Sequence, residues 1–167
     1  MLPRWARDLD KTLIDRIAIN HGLDPKIVIA IVHVESLGNP NAIRFEAAFK
    51  WFKEPQFLAK KIGCTLDTMV FMQKTSWGLM QVMGAVAYEH NLADEADPNR
   101  RWASALTNPS LGLNYGCRHL KVKFEKYGPD PTLTYAAYNA GSVRHGKDGS
   151  LVNEANVDRF CEALDKL

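Results

Sequence analysis

Residues 26–39, KIVIAIVHVESLGN, decide how this chain folds. Residues 27–34 are almost wholly apolar and carry no formal charge, and the carboxylate of Glu35 follows directly. Asp24 and Pro25 form a helix start, because an Asp oxygen caps free N–H groups and a Pro at the first helical position has no N–H to leave unpaired. The stretch therefore predicts a short helix, buried almost all round, that carries one acid to the edge of the core.

Glu35 is open to two interpretations on this helix alone. It is either the solvated last-turn residue of a core helix, or an acid held where chemistry needs it. Apolar surroundings and the negative end of the helix dipole both disfavour the charged carboxylate. They therefore favour the protonated form, which an acid must have to donate a proton near neutrality.

The composition is that of one ordinary globular domain. The chain has 167 residues, of which 46% are hydrophobic and 24% charged, so we expect a single domain over residues 1–167. The net charge of +2 is too small to indicate nucleic-acid binding and is compatible with an anionic polymer. No apolar run reaches the roughly 18–20 residues of a membrane span, and residues 1–17 lack the apolar segment of a secretory signal peptide.

The cysteines and histidines argue against a metal site. The three cysteines, Cys64, Cys117 and Cys161, are far apart and form no CxxC pair, so we expect free thiols in a reduced protein. The five histidines form no i,i+4 pair and no HExxH motif, which excludes a metal hydrolase. We expect no metal and no cofactor.

Helical spacing of apolar residues dominates the chain. Asn-Pro, Asp-Pro and Glu-Pro pairs mark helix starts, and glycines mark several helix ends. No convincing alternating strand of five or more residues occurs, but residues 42–53 predict an irregular or extended piece, with a minor β-hairpin in 42–50. The predicted fold class is mainly α. The predicted helices span residues 5–21, 25–36, 54–63, 65–73, about 78–91, 100–107, 109–127, 131–140 and 153–167.

Three short stretches combine polar groups with residues that bring backbone or ring surfaces close together. They are residues 33–36 (HVES), 76–83 (SWGLMQVM) and 136–141 (AAYNAG). Each has an ordinary explanation by itself, as a core helix end, a core amide satisfied by backbone, or a helix C-cap. Together, an acid, an amide, a phenol and an asparagine suit a cleft for a sugar polymer, in which one acid protonates a glycosidic oxygen. Trp77 and Tyr138 are the rings expected to stack on sugar faces.

The residues of these stretches and their order along the chain resemble the catalytic domain of the soluble lytic transglycosylases, which are related to goose-type lysozymes. The resemblance rests on Glu-Ser at 35–36, Gly-Leu-Met-Gln-Val-Met at 78–83, Asn-Pro-Ser-Leu-Gly-Leu-Asn-Tyr-Gly at 108–116 and Ala-Tyr-Asn-Ala-Gly at 137–141. Four stretches in one order, within residues 23–142, are far more specific than a lone Glu-Ser pair. The resemblance implies a lysozyme-like helical fold.

The resemblance also implies cleavage of the β-1,4 bond between N-acetylmuramic acid and N-acetylglucosamine in peptidoglycan. Glu35 is then the single catalytic acid and base, assisted by the N-acetyl group of the substrate. In transglycosylases the muramyl 6-hydroxyl closes a 1,6-anhydro ring, whereas in goose-type lysozymes water attacks. The implied partner is a peptidoglycan glycan strand, bound by a monomer without nucleic acid. The implied substrate-binding residues are Ser36, Gln81, Met83, Tyr138 and Asn139, with Tyr138 near the acid.

Two departures from the family pattern bear on the product. In the transglycosylases the Gly-Leu-Met-Gln stretch follows Glu-Ser closely, so residues 42–75 are an insertion here. Glu46 and Asp67 in this insertion are candidates to position a water, which would favour hydrolysis. The glutamate that many transglycosylases carry in the final segment has Glu154 as its nearest counterpart. The aromatic side chains of the insertion either wall the cleft or form a satellite core, and they are Phe45, Phe49, Trp51 and Phe52.

Residues 1–17 and the free cysteines lead to an expectation about the compartment. We expect a protein made in a host cytoplasm without a signal peptide that acts on periplasmic peptidoglycan, as a phage endolysin or a virion-associated enzyme. A trimmed periplasmic enzyme is the alternative. The alternatives for function are a hydrolytic goose-type muramidase and a non-catalytic murein-binding virion module.

Overall fold

The computed structural model describes residues 10–167, which form two compact units. The first contains residues 10–38 and 117–167, and the second contains residues 39–116. The described chain is mostly helical with one small antiparallel sheet, which confirms the predicted fold class. The single domain over residues 1–167 stays a prediction. None of the helices in residues 10–167 combines the length and apolar character that crossing a bilayer requires.

The helices agree with the sequence pattern except in two places. Residues 78–83 contain a turn and a strand, and the helix predicted over 100–107 is replaced by two 3₁₀ segments separated at Trp102. Residues 5–9 of the predicted first helix lie outside the described residues. The helices are α1 (Lys11–Asn20), α2 (Pro25–Ser36), α3 (Pro55–Ile62), α4 (Leu66–Gln73), α5 (Gly84–Glu89), α6 (Pro109–Tyr127), α7 (Pro131–Ala140) and α8 (Glu154–Leu164). The strands are β1 (Ile43–Phe45), β2 (Thr75–Trp77) and β3 (Val82–Met83), and the 3₁₀ segments are Leu92–Asp94, Pro98–Arg101 and Ala103–Thr107.

The first unit is organised around α2. Residues 28–32 of this helix are 0–2% exposed, so the helix is enclosed as its apolar run predicts. Helices α1 and α8 pack against α2, and α7 packs against α8. The rings of Tyr135 and Phe160 stack with their centroids 4.4 Å apart. Because apolar burial is the main favourable term in folding, this packing fixes the position of the residue at the end of α2.

We expect Asp24→Ala to lower the free energy of unfolding by about 1 kcal/mol, because Asp24 caps α2 and Ala has no side-chain acceptor. Its carboxylate accepts a hydrogen bond from the backbone N–H of Lys26 at 2.9 Å. Urea denaturation measures the change. Asp24→Asn, which keeps a capping oxygen, is the matched control and should retain most of the stability. Equal losses in the two variants would contradict the role of the cap.

The second unit contains the sheet, in the order β1-β2-β3 with both pairs antiparallel. Ile43 pairs with Trp77 and Phe45 with Thr75, while Trp77 also pairs with Val82. The β-hairpin predicted within 42–50 is therefore wrong, although the extended piece exists. The partner of β1 lies at the far end of the insertion, and no local pattern within 42–50 contains that long-range pairing.

The helix predicted from about Gly78 begins instead at Gly84. Gly78 and Gln81 have φ values of 74° and 48°, in the left-handed region, so the chain turns back between β2 and β3. A Cβ at Gly84 would lie 2.0 Å from the carbonyl oxygen of Met72. The start of α5 is therefore packed directly against backbone at the end of α4, and apolar spacing alone did not reveal this.

The aromatic side chains of the insertion do not form a satellite core. Phe45, Trp51 and Phe52 are 50%, 67% and 37% exposed. Phe49 is half-buried and makes edge contacts with the rings of Trp51 and Phe52, while Phe45 stacks on Phe71, itself 49% exposed. The satellite-core interpretation is wrong for the exposed rings, and the interpretation that they wall a cleft stays a prediction.

Candidate functional site

Glu35 lies in the last turn of α2, at the edge of the first unit's core. It is half-buried, whereas Leu37, which caps the helix with a left-handed φ of 54°, is exposed. The hydroxyl of Ser36 donates to the carbonyl oxygen of Val32 at 3.0 Å, one turn back along the helix. The sharp end of α2 thus leaves the carboxylate of Glu35 where the sequence analysis expected it.

Two donors from α7 hold one oxygen of Glu35. The hydroxyl of Tyr135 donates to Oε1 at 2.8 Å, and Nδ2 of Asn139 donates to the same atom at 3.2 Å. Tyr135 and Asn139 are four residues apart and so lie on one face of α7. Tyr135 is fully buried, which fixes its hydroxyl. The carboxylate therefore has a defined position, and its negative charge is stabilised by two hydrogen bonds.

The side chain of Asn139 is itself held from the segment around the start of α8. Its Oδ1 accepts hydrogen bonds from Nδ2 of Asn153 at 2.9 Å and from Nδ2 of Asn156 at 3.1 Å. Asn153 also donates to the carbonyl oxygen of Ala136 at 3.1 Å. A chain of amides therefore connects α8 to the carboxylate of Glu35.

Tyr138 lies beside the same acid. Burial raises the pKa of its hydroxyl well above the usual range, and the negative charge of Glu35 raises it further. The rings of Tyr138 and His119 have centroids 5.5 Å apart. The hydroxyl of Tyr138 is therefore neutral and lies within the influence of the Glu35 charge, and its contact with substrate stays a prediction.

Sequence reasoning missed Tyr135, Asn153 and Asn156. The four-residue spacing between Tyr135 and Asn139 was a signal for the first, because it places both side chains on one helix face. The other two carried no comparable signal, since the expected residue in the final segment was a glutamate. Glu154 is exposed in the first turn of α8, and the asparagines on either side of it reach the site instead.

The second unit holds the other predicted binding residues around the turn between β2 and β3. Nε2 of Gln81 donates to the carbonyl oxygens of Ala42 at 2.9 Å and Gly78 at 3.0 Å, and its Oε1 accepts from the hydroxyl of Ser76 at 3.0 Å. This pattern fits the interpretation of Gln81 as an amide satisfied by backbone. Met83 ends β3 and is half-buried. Substrate contacts of Gln81 and Met83 stay predictions.

Trp77 is a core residue of the second unit. Its side chain is 7% exposed, and its ring N–H donates to the carbonyl oxygen of Met72 at 3.2 Å. The expectation that Trp77 stacks on a sugar face is therefore wrong, because β2 is the central strand and its side chains are enclosed.

Glu46 and Asp67 were the candidates to position a water. Glu46 is paired with Arg44, next to β1. Asp67 is exposed in the first turn of α4, a favourable place for a carboxylate near a positive helix end. These contacts give each acid an ordinary local role, and their action on a water stays a prediction.

Cys117 on α6 gives the site's surroundings a testable pH dependence. Burial raises the pKa of its thiol to about 12, from an ordinary value of 9.0. At a pH between these two pKa values, the thiol of Cys117 has lost its proton in the unfolded chain and keeps it in the folded chain. The free energy of unfolding should therefore fall as pH rises from 9 towards 12, by up to about 1.4 kcal/mol per pH unit from this group.

The check is denaturation at several pH values between 8 and 11. Cys117→Ala removes the thiol and should fall less steeply with pH than the wild type. Cys161→Ala, which removes a half-buried thiol from α8, is the control and should keep the wild-type slope. Identical slopes in all three proteins would contradict the assignment.

The fold and the held acid define a class, that of lysozyme-like helical proteins with a carboxylate at the end of a buried helix. The chain belongs to the transglycosylase SLT domain family, which matches residues 12–160. This confirms the resemblance found in the sequence and indicates a lytic transglycosylase-type activity on peptidoglycan. Comparison with curated proteins and comparison with solved structures gave no match.

Proposed function

We propose that this protein cleaves the β-1,4 bond between N-acetylmuramic acid and N-acetylglucosamine as a lytic transglycosylase, with Glu35 as the acid and base. The observation that carries the proposal is the half-buried carboxylate of Glu35, held on Oε1 by Tyr135 and Asn139. A carboxylate kept in place at the edge of a core by neutral donors can release a proton and take one back without moving.

The proposed reaction uses no water. Glu35 protonates the oxygen that links muramyl C1 to the next sugar, and the C1–O bond breaks. The substrate's own N-acetyl group stabilises the positive charge at C1. The muramyl 6-hydroxyl then attacks C1 and gives its proton to the Glu35 carboxylate, which restores the acid. The products are a shortened glycan with a free 4-hydroxyl and a 1,6-anhydro-muramyl end.

The neighbours of Glu35 support each half of this cycle. The two donors on Oε1 stabilise the carboxylate that exists after the first proton transfer. Tyr138 stays neutral and supplies a hydroxyl rather than a competing charge. We propose Ser36, Tyr138 and Asn139 as substrate contacts in the first unit, and Gln81 and Met83 in the second.

The decisive experiment is mass spectrometry of purified peptidoglycan after digestion. Transglycosylase products end in muramyl groups that lack the mass of one water relative to lysozyme products. Full-mass ends would replace this proposal with the hydrolytic goose-type muramidase, and Glu46 and Asp67 would then be tested as water-positioning groups. Binding to peptidoglycan without release of fragments would favour the non-catalytic murein-binding module.

We expect Tyr135→Phe to lower kcat on peptidoglycan by about tenfold to a hundredfold, because one charge-assisted hydrogen bond to Glu35 is lost. The Phe ring keeps the stacking on Phe160, so the fold should persist. Initial rates of turbidity loss measure the effect. Tyr127→Phe, at the end of α6, is the matched control and should keep wild-type rates. Full activity of Tyr135→Phe would contradict the role of this hydroxyl.

The compartment belongs to the same proposal. We propose synthesis in a host cytoplasm and action on periplasmic peptidoglycan, as a phage endolysin or virion-associated enzyme, with a trimmed periplasmic enzyme as the alternative. The half-buried and buried free thiols of Cys64, Cys117 and Cys161 support synthesis in a reducing compartment.

A further inference from the structure

A directed chain of hydrogen bonds runs from the surface of α8 to the acid. Arg159, an exposed residue, donates through Nη2 to Oδ1 of Asn156. Nδ2 of Asn156 donates to Oδ1 of Asn139 at 3.1 Å, and Nδ2 of Asn139 donates to Oε1 of Glu35 at 3.2 Å. All four residues belong to the first unit.

The chemistry of the first residue fixes the direction of the whole chain. An Arg side chain only donates, so the atom of Asn156 that faces it must be the oxygen. The atom of Asn156 that faces Asn139 is then the nitrogen, so Asn139 must accept this hydrogen bond through its oxygen. The amide end of Asn139 that remains for Glu35 is therefore the donor.

Asn153 independently fixes the same orientation of the Asn139 amide. Asn153 donates to the carbonyl oxygen of Ala136, which only accepts. Its nitrogen also faces Oδ1 of Asn139 at 2.9 Å. Asn139 would have to break both contacts to turn its oxygen towards Glu35. Two neighbouring asparagines and an arginine thus hold one amide in one orientation.

We propose that Asn153, Asn156 and Arg159 are positioning residues that keep the nitrogen of the Asn139 amide, rather than its oxygen, on Oε1 of Glu35. An oxygen that accepts from both the Tyr135 hydroxyl and the Asn139 amide is a poor site for a proton of its own. This inference deepens the proposed function and rests on it for its catalytic part.

The chain also sets the pH range of the acid. A donor on Oε1 stabilises the charged form of Glu35, so the acid releases its proton at a lower pH than it would without the donor. If the direction of these hydrogen bonds is reversed, the amide oxygen of Asn139 faces the carboxyl group of Glu35. The protonated form of Glu35 then persists to higher pH. The alkaline limb of the kcat/KM profile reports the loss of the catalytic proton and should move accordingly.

The test is made in the Asn153→Ala protein, because Asn153 by itself would hold the Asn139 amide in its present orientation. In that protein, further variants reverse or preserve the direction of the hydrogen bonds at their exposed end. Arg159→Lys keeps a side chain that only donates, and should leave the pH profile unchanged. Arg159→Glu puts a side chain that only accepts hydrogen bonds beside Asn156. The amide of Asn156, and then that of Asn139, is expected to exchange the positions of its nitrogen and oxygen. We expect the alkaline midpoint of kcat/KM to rise by about one pH unit. Lys166→Glu, an equal charge reversal just after α8, is the control and should shift the midpoint much less.

Asn156→Asp supplies a second reversal inside the chain, because its carboxylate cannot donate to Asn139. It should raise the alkaline midpoint as Arg159→Glu does. A merely structural loss would lower the rate at every pH without moving the midpoint. If adding Arg159→Glu and adding Asn156→Asp both left the pH profile of the Asn153→Ala protein unchanged, the proposal would be overturned.

An NMR titration separates this inference from the proposed function. The side-chain amide protons of Asn139 should titrate with Glu35 in the wild type. This titration should vanish in Glu35→Gln and weaken when Arg159→Glu is added to the Asn153→Ala protein. If the protein failed to cleave peptidoglycan, the proposed function would fall while the titration still decided the orientation of Asn139. If the Asn139 amide protons of the wild type did not titrate with Glu35, the proposed hydrogen bond from Asn139 to Glu35 would be refuted.

Discussion

Glu35→Gln is expected to reduce peptidoglycan cleavage by about a hundredfold to ten-thousandfold, the range lost with a general acid. Glutamine has nearly the shape of glutamic acid, and its amide oxygen can still accept from Tyr135 and Asn139. It has no acidic proton to give to a glycosidic oxygen. The fold and the affinity for glycan should therefore persist while the chemical step fails. Release of soluble muropeptides and thermal unfolding measure the two properties separately.

The matched control for this prediction is Glu154→Gln. Glu154 was the sequence's nearest counterpart to a second family glutamate, and it lies exposed in the first turn of α8. The same chemical change there should leave activity within a factor of about two, since surface substitutions away from special features have small effects. A fully active Glu35→Gln protein would refute the mechanism, and an inactive Glu154→Gln protein would assign it to a second carboxylate.

Gly78→Ala is expected to lower the free energy of unfolding by about 2–4 kcal/mol. About 1 kcal/mol of this comes from placing a Cβ on a residue with a φ of 74°. A further 1–3 kcal/mol or so comes from overpacking, because that Cβ would lie 2.3 Å from the carbonyl oxygen of Leu106. Neither atom is at the end of a flexible side chain, so the backbone itself would have to move. Urea denaturation with the slope as well as the midpoint measures the loss.

Gly63→Ala is the control that separates the two costs. Gly63 ends α3 with a φ of 80°, similar to that of Gly78, but a Cβ there meets nothing within 4 Å. It should lose only the conformational part, about 1 kcal/mol. Equal losses at the two glycines would show that the contact with Leu106 is unimportant. A large excess at Gly78 would explain why this turn of the second unit begins with glycine.

Helix α2 shows how far local patterns reach. Asp24, Pro25 and the apolar run that follows were enough to predict its start, its burial and the place of Glu35, because capping and apolar burial depend on residues adjacent in the chain. The four matching stretches likewise identified the family before any coordinates.

The sheet shows where such patterns fail. Strand β1 has three residues, and its pairing with β2 joins the two ends of the insertion. The apolar residues after Gly78 fit a helix as well as a turn and a strand. The turn and the strand are selected over the helix only by the left-handed φ values at Gly78 and Gln81 and by the close packing at Gly84.

The sequence by itself determined the helical class and the family, because these depend on residue types and spacings along the chain, and it singled out Glu35 as the candidate acid. Only the tertiary structure decided which groups hold that acid. Tyr135 lies 100 residues beyond Glu35 and Asn139 lies 104 beyond it, and Asn153 and Asn156 reach Asn139 from another helix segment. Hydrogen bonds between such distant side chains depend on how the helices pack, which no periodicity within one helix records.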